Sequence, residues 1–177
     1  MQGGITWELN KSGIARIAAV AVAAPLLALT SATSASASTS ASTVSWQNVQ
    51  TGACLNWENT WNDGVKVAVG GCSRSNNVDV SQWRGTSVDG KYWTYRPSRT
   101  TNSGGWTNVC LTSYNTLVYL ETCQDGNWWQ QWEEIWTSSG WKLKHRGDGQ
   151  VAGYFLDTNG SSLYTEPGNQ GMYQVWK

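Results

Sequence analysis

The chain has 177 residues, with twelve basic and twelve acidic side chains, a formal net charge of zero, one histidine, four cysteines and thirteen tryptophans. A balanced charge without a Lys/Arg cluster argues against nucleic acid and anionic membrane as partners. No metal-ligand spacing, phosphate loop or nucleophile elbow is present, so neither metal nor cofactor is expected.

The chain opens on a different kind of sequence from the rest. Lys11 and Arg16 precede an apolar run over residues 17–29, and Ala35-Ser36-Ala37 follows as a small-residue cleavage site. This reads as a secretory signal peptide over residues 1–37, too short in its apolar part to span a bilayer. Residues 38–43, rich in Ser, Thr and Ala, read as a flexible leader. The remainder, residues 44–177, is long enough for one domain with its own core and holds all four cysteines, an even number in an export context that favours disulfides over metal.

Beyond the leader, residues 45–49 read as a first strand. Val65, Val67 and Val69 alternate on one face of another, after a turn at Asn62-Asp63-Gly64. Strands are then expected at 91–95 and 117–120, with a Ser/Thr/Asn/Gly-rich insertion over 96–105. Further strands fall at 140–144, 153–156 and 162–164, with a turn at Gly147-Asp148-Gly149. No stretch has a convincing helical period, so the fold class is all-β.

These strands belong to one unit written three times, over about residues 44–85, 91–136 and 140–177. Trp46, Trp93 and Trp141 open the units at spacings of 47 and 48 residues, and Trp83, Trp132 and Trp176 close them. Three units of about 45 residues with nothing left over point to a closed, pseudo-threefold β fold rather than a propeller or solenoid. The repeat selects Cys54 with Cys72 and Cys110 with Cys123 among the three possible pairings, because each pair falls at equivalent places in its own unit. Closing loops this short stabilises by about 3 kcal/mol each in the chain-entropy model. In the third unit Phe155 and Glu166 stand where the cysteines would be, so packing must hold it.

Cys-Leu, a strand, a second Cys and a closing Gln-x-Trp, repeated across residues 44–177, resemble the ricin-B-type β-trefoil lectins. Gln130-Gln131-Trp132 and Gln174-Val175-Trp176 match the Q-x-W motif, and Ser81-Gln82-Trp83 is a slipped copy. The resemblance implies a six-hairpin trefoil with Trp83, Trp132 and Trp176 in the core. It also implies a sugar site in each competent unit: an Asp after Cys-Leu, a ring two residues before the second Cys, and an Asn before the motif's Gln. A pyranose stacks its C–H face on the ring while its hydroxyls donate to the carboxylate.

Carried onto this chain, the third unit keeps most of that set: Asp157, with Tyr164 as platform, Tyr173 in place of the Asn, and Gln174. Unit one offers Asn56 and Gly70, and unit two Thr112 and Glu121, neither of which makes the constellation. At most one classical sugar site is expected. Asp157 has a competing role in the turn Asp157-Thr158-Asn159-Gly160, and Tyr164 as half-buried strand filler. Trp57, Trp61, Trp106, Trp128, Trp129 and Trp136 lie outside the repeated positions and offer an unorthodox face. If Trp128 and Trp129 share a strand, one of them is exposed.

Polymeric glycans suit one weak site better than free sugars, because linked sites raise apparent affinity. An enzyme is not expected: His145 stands in no motif, and adjacent Glu133 and Glu134 point apart as solvated charge, unlike the facing carboxylates of a glycosidase. The alternative is a secreted trefoil that binds protein, as an inhibitor or toxin-related scaffold, with the 96–105 insertion as its contact loop.

Overall fold

The computed structural model describes residues 41–60, 64–72, 74–75, 78–98, 108–147 and 153–177, all within the unit Ala37–Lys177. The proposed signal peptide, Trp61, Trp106, the turns at 62–64 and 147–149 and most of the 96–105 insertion lie wholly or partly outside the described residues. Among those described, the strands are β1 (Ala41–Ser45), β2 (Cys54–Thr60), β3 (Gly64–Gly70), β4 (Arg74–Ser75), β5 (Val78–Asp79), β6 (Gln82–Ser87) and β7 (Tyr92–Pro97). They continue with β8 (Val109–Tyr114), β9 (Leu117–Thr122), β10 (Trp132–Thr137), β11 (Gly140–His145), β12 (Phe155–Thr158) and β13 (Leu163–Glu166). Short 3-10 helices occupy Trp128–Gln130 and Met172–Gln174.

Strands β1, β6, β7, β10 and β11 pair antiparallel in that order and form the wall of a barrel. The chain end closes it. Trp176 bridges to Trp141 on one side and Asn48 on the other, and Gln47 and Lys177 exchange two backbone hydrogen bonds of 2.9 Å. Gly140 permits this approach: at φ +143 it sits where a Cβ would lie 2.6 Å from the Trp176 carbonyl oxygen. Three hairpins, β2–β3, β8–β9 and β12–β13, one from each unit, cap the barrel and pack on one another through β3, β9 and β13. This is a β-trefoil, and its three parts are the three sequence repeats.

The core is built threefold as well. Trp83, Trp132 and Trp176 have no exposed surface, and their indole N–H groups donate to the carbonyls of Leu55, Leu111 and Leu156 at 2.8, 3.0 and 3.2 Å. Each closing tryptophan therefore ties the end of its unit to the unit's first hairpin strand while satisfying a donor that burial would otherwise leave unpaired. Both disulfides form as the repeat requires, Cys54–Cys72 and Cys110–Cys123, closing separations of 18 and 13 residues.

Five sequence expectations change. The first strand lies at Ala41–Ser45 rather than 45–49, so residues 41–43 are not a flexible tail: their backbone completes the edge of β6. After them Trp46 turns into the core, and the Asn48 side chain organises the next turn by accepting from the N–H groups of Gln50 and Thr51. Trp57 is not a surface ring but a core residue, 3% exposed, donating to the Gln82 carbonyl. Glu133 and Glu134 are half-buried and partnered: Glu133 meets Lys91 at 3.4 Å, and Glu134 accepts from the Tyr95 hydroxyl. Trp128 and Trp129 lie in a 3-10 helix rather than a strand, with Trp128 48% exposed and Trp129 half-buried.

Candidate functional site

The third-unit hairpin places Asp157 directly opposite Tyr164, in the register Phe155↔Glu166, Leu156↔Thr165, Asp157↔Tyr164, Thr158↔Leu163. Alternation sends Leu156 and Thr165 inward, where both are buried, and turns Asp157 and Tyr164 to the other face. The hairpin's turn rests mainly on its neighbours. Thr158 donates its hydroxyl to the Ser162 carbonyl and accepts from the Gly160 N–H, while Asn159 accepts from the N–H groups of Ser161 and Ser162. Asp157 adds one local bond, accepting from the Thr158 N–H at 2.6 Å.

The opposite wall comes from the segment leading to the closing motif. Gln174 is fully buried, and its amide is spent on that segment: Oε1 accepts from the Asn169 N–H at 3.1 Å and Nε2 donates to the Pro167 carbonyl at 3.0 Å. Gln174 therefore lies behind the site and shapes it without lining it. The adjoining Tyr173 is 44% exposed and faces the hairpin. Together Asp157, Thr158, Asn159, Tyr164, Glu166, Asn169, Gly171 and Tyr173 enclose a cleft of about 520 Å³, a size suited to a small ligand.

Its chemistry is mixed. Asp157 and Glu166 bring two carboxylates, Tyr164 and Tyr173 bring rings, and Asn159 and Asn169 bring amides whose oxygens are engaged in the loops. The Tyr164 phenol is held above its ordinary range, first by partial burial, then by the negative charges of Asp157 and Glu166, by Tyr173 and by a hydrogen bond to Asp157. Asp157 is only 5% exposed and lines the cleft from its floor.

Three of the four residues singled out in the sequence thus converge. Glu166, Asn159 and Asn169 are not among the residues the sequence singles out: Asn159 reads as part of the turn after Asp157, Glu166 falls at an expected cysteine position, and no sequence pattern marks Asn169. The register corrects that assignment. Gly70 opposes Cys54 and Glu121 opposes Cys110, two residues before each second cysteine, and Glu166 opposes Phe155 in the same way. The residue at the second-cysteine position is therefore Gly168, where a Cβ would lie 2.7 Å from the Phe155 ring. Phe155 fills the space of the absent disulfide. Glu166 then occupies the place that counting gives to the ring, and Tyr164 is the residue facing Asp157.

The same register puts Ala68 opposite Asn56, and Tyr119 opposite Thr112. Neither unit has a free carboxylate there: Asn56 donates to the Gly71 carbonyl and Thr112 to the Cys110 carbonyl. Elsewhere Trp128 lies on the Arg146 guanidinium, 4.6 Å from its ring centre, with Tyr92 on the same guanidinium at 4.4 Å. Trp136 is 63% exposed, packed edge-on against Trp141 at 5.0 Å. Among the described residues no cluster of His, Cys, Asp and Glu is arranged to hold a metal ion, and no helix is long and apolar enough to cross a membrane.

No protein-family model matches the chain, and neither does any curated protein. Solved structures do share its fold. The designed 3-fold symmetric protein ThreeFoil superposes with a TM-score of 0.58 at 21% identity, covering 76% of this chain and 96% of that one. SeviL, solved bound to asialo-GM1 saccharide, gives 0.55 at 15% identity over 77% and 95% of the two chains. The Haemophilus ducreyi cytolethal distending toxin gives 0.55 at 16% identity over 76% and 80%. At these identities the likeness is one of fold.

Proposed function

We propose that the chain is a secreted, non-catalytic carbohydrate-binding trefoil of the ricin-B type whose sugar site is the third-unit cleft. One observation carries the reading: Asp157 and Tyr164 face each other across a hairpin, within a cleft that Tyr173 completes. A carboxylate at the floor accepts from sugar hydroxyls, the rings take the C–H face, and the amides of Asn159 and Asn169 offer donors at the rim. SeviL, a trefoil of comparable extent solved with a saccharide, supports such a ligand on this architecture. Two disulfides agree with an oxidising, extracellular setting.

The test is a screen of the folded domain against an array of neutral and charged glycans and against insoluble polysaccharides. Saturable binding to at least one is the expected outcome. A screen without binding overturns the reading in favour of a protein partner, for which the exposed Trp136 is the natural anchor.

A further inference from the structure

The cleft does not end at Tyr164. On its far side β13 pairs with β9, and the opposed residues run Asp157↔Tyr164 between β12 and β13, Tyr164↔Leu117 between β13 and β9, and Leu117↔Tyr114 between β9 and β8. Directly opposed residues of antiparallel strands project from the same face. The four therefore form one row across four adjacent strands: a carboxylate, a ring, an alkyl group and a second ring. At about 4.8 Å per strand, the row is roughly 14 Å long.

Beyond Tyr164 the row is open to solvent, with Leu117 66% and Tyr114 47% exposed. It is also fixed in place. The turn between β8 and β9 holds Asn115 at φ 46 and Thr116 at φ 70, a left-handed conformation that a β-branched residue seldom adopts. The Thr116 carbonyl accepts from the Thr165 N–H at 2.9 Å, and Ser113 and Thr165 share a hydroxyl contact of 3.0 Å. The second unit's hairpin tip is thus stitched to the third unit's hairpin, and Tyr114 continues the surface edge-on to Trp129 at 5.0 Å.

We propose that this row is a track for a linear, neutral oligosaccharide, with one residue in the Asp157–Tyr164 cleft and the following ones laid over Leu117 and Tyr114. The inference rests on the reading of the cleft as a sugar site. Alternating rings and alkyl groups suit the C–H faces of successive pyranoses. Charge argues against an anionic chain: the row and the lining of the cleft carry Asp157 and Glu166 and no base. Lys142 approaches the rim, but its ammonium is engaged by the Asn169 carbonyl and lies over the Phe155 ring. Uronic or sulfated chains would meet like charge.

Calorimetry of the folded domain with ladders of one to six residues, in β-linked glucose, xylose and galactose series, tests the track. In at least one series the affinity rises with length over the first three or four residues and then levels. Leu117→Asp and Tyr114→Ala, both at exposed positions, lower the tetrasaccharide affinity roughly tenfold, the loss of one apolar contact, and leave monosaccharide binding unchanged. Affinity independent of length, or indifference to both substitutions, overturns the track while leaving the cleft intact. Absence of binding by every ladder, monosaccharides included, overturns both.

Discussion

His145 lies without exposed surface against Trp129 and Trp132. Its Nε2 faces the Trp129 carbonyl at 3.1 Å; a carbonyl only accepts, so Nε2 carries the hydrogen and Nδ1 is the buried atom left without a partner. Burial pushes its pKa from 6.5 to about 4, against the opposing pull of the Trp129 bond. Between those values the unfolded chain binds a proton that the folded chain does not. Stability from this residue is complete above about pH 6.5 and falls as pH drops toward 4, by on the order of 3 kcal/mol. Urea unfolding of wild type and His145→Phe across that window reads it directly: the wild-type curve loses stability more steeply, and parallel curves would contradict the assignment. Nothing in the sequence around His145 announces this, because the rings that bury it come from a different strand and turn. The position of Asp157 was readable for the opposite reason, since it directly follows Phe155-Leu156 at a repeated place in its unit, whereas Tyr164 faces it through a strand pairing and not through its repeat position. Glu166 was not, because its place depends on which residue faces Phe155.

The short 3-10 helices do what their motif glutamines require. Gln130 accepts from the Gln124 N–H and donates to the Thr122 carbonyl, as Gln174 does with Asn169 and Pro167. In units two and three the Q-x-W glutamine is thus a clamp on the segment after the second hairpin strand. In unit three that segment is a wall of the cleft, whereas in unit two Cys110–Cys123 already fastens it. Gln174→Ala should cost about 1–3 kcal/mol, the penalty for orphaned buried backbone groups, and weaken any ligand of the cleft. Gln130→Ala should cost stability alone. Thermal melts paired with binding to the best glycan of the screen separate the two, and equal binding by both variants would show that the clamp does not shape the site. The motif itself was plain in the sequence; its helical form was not, because three residues are too few to show a period.

Across the whole molecule, the three-unit repeat pointed to a closed, pseudo-threefold β fold, and the structure shows why: each unit supplies a cap hairpin and a closing tryptophan bonded to a leucine carbonyl. What the repeat did not show is how unit two and unit three share an edge, since Tyr164↔Leu117 joins residues of different units and has no spacing signature. The units also differ in structure where they differ in sequence: Asn56 and Thr112 donate to carbonyls of their own units, while Asp157 accepts from the Thr158 N–H and lines a cleft. The most direct measurement is calorimetric titration of the best-binding neutral glycan into wild type and Asp157→Ala, with melting temperatures recorded alongside. Loss of the carboxylate should lower affinity by about tenfold to a hundredfold, the scale of one charge-assisted hydrogen bond, with the fold intact. Undiminished affinity in a folded Asp157→Ala domain would place the glycan elsewhere on the trefoil and contradict the third-unit site.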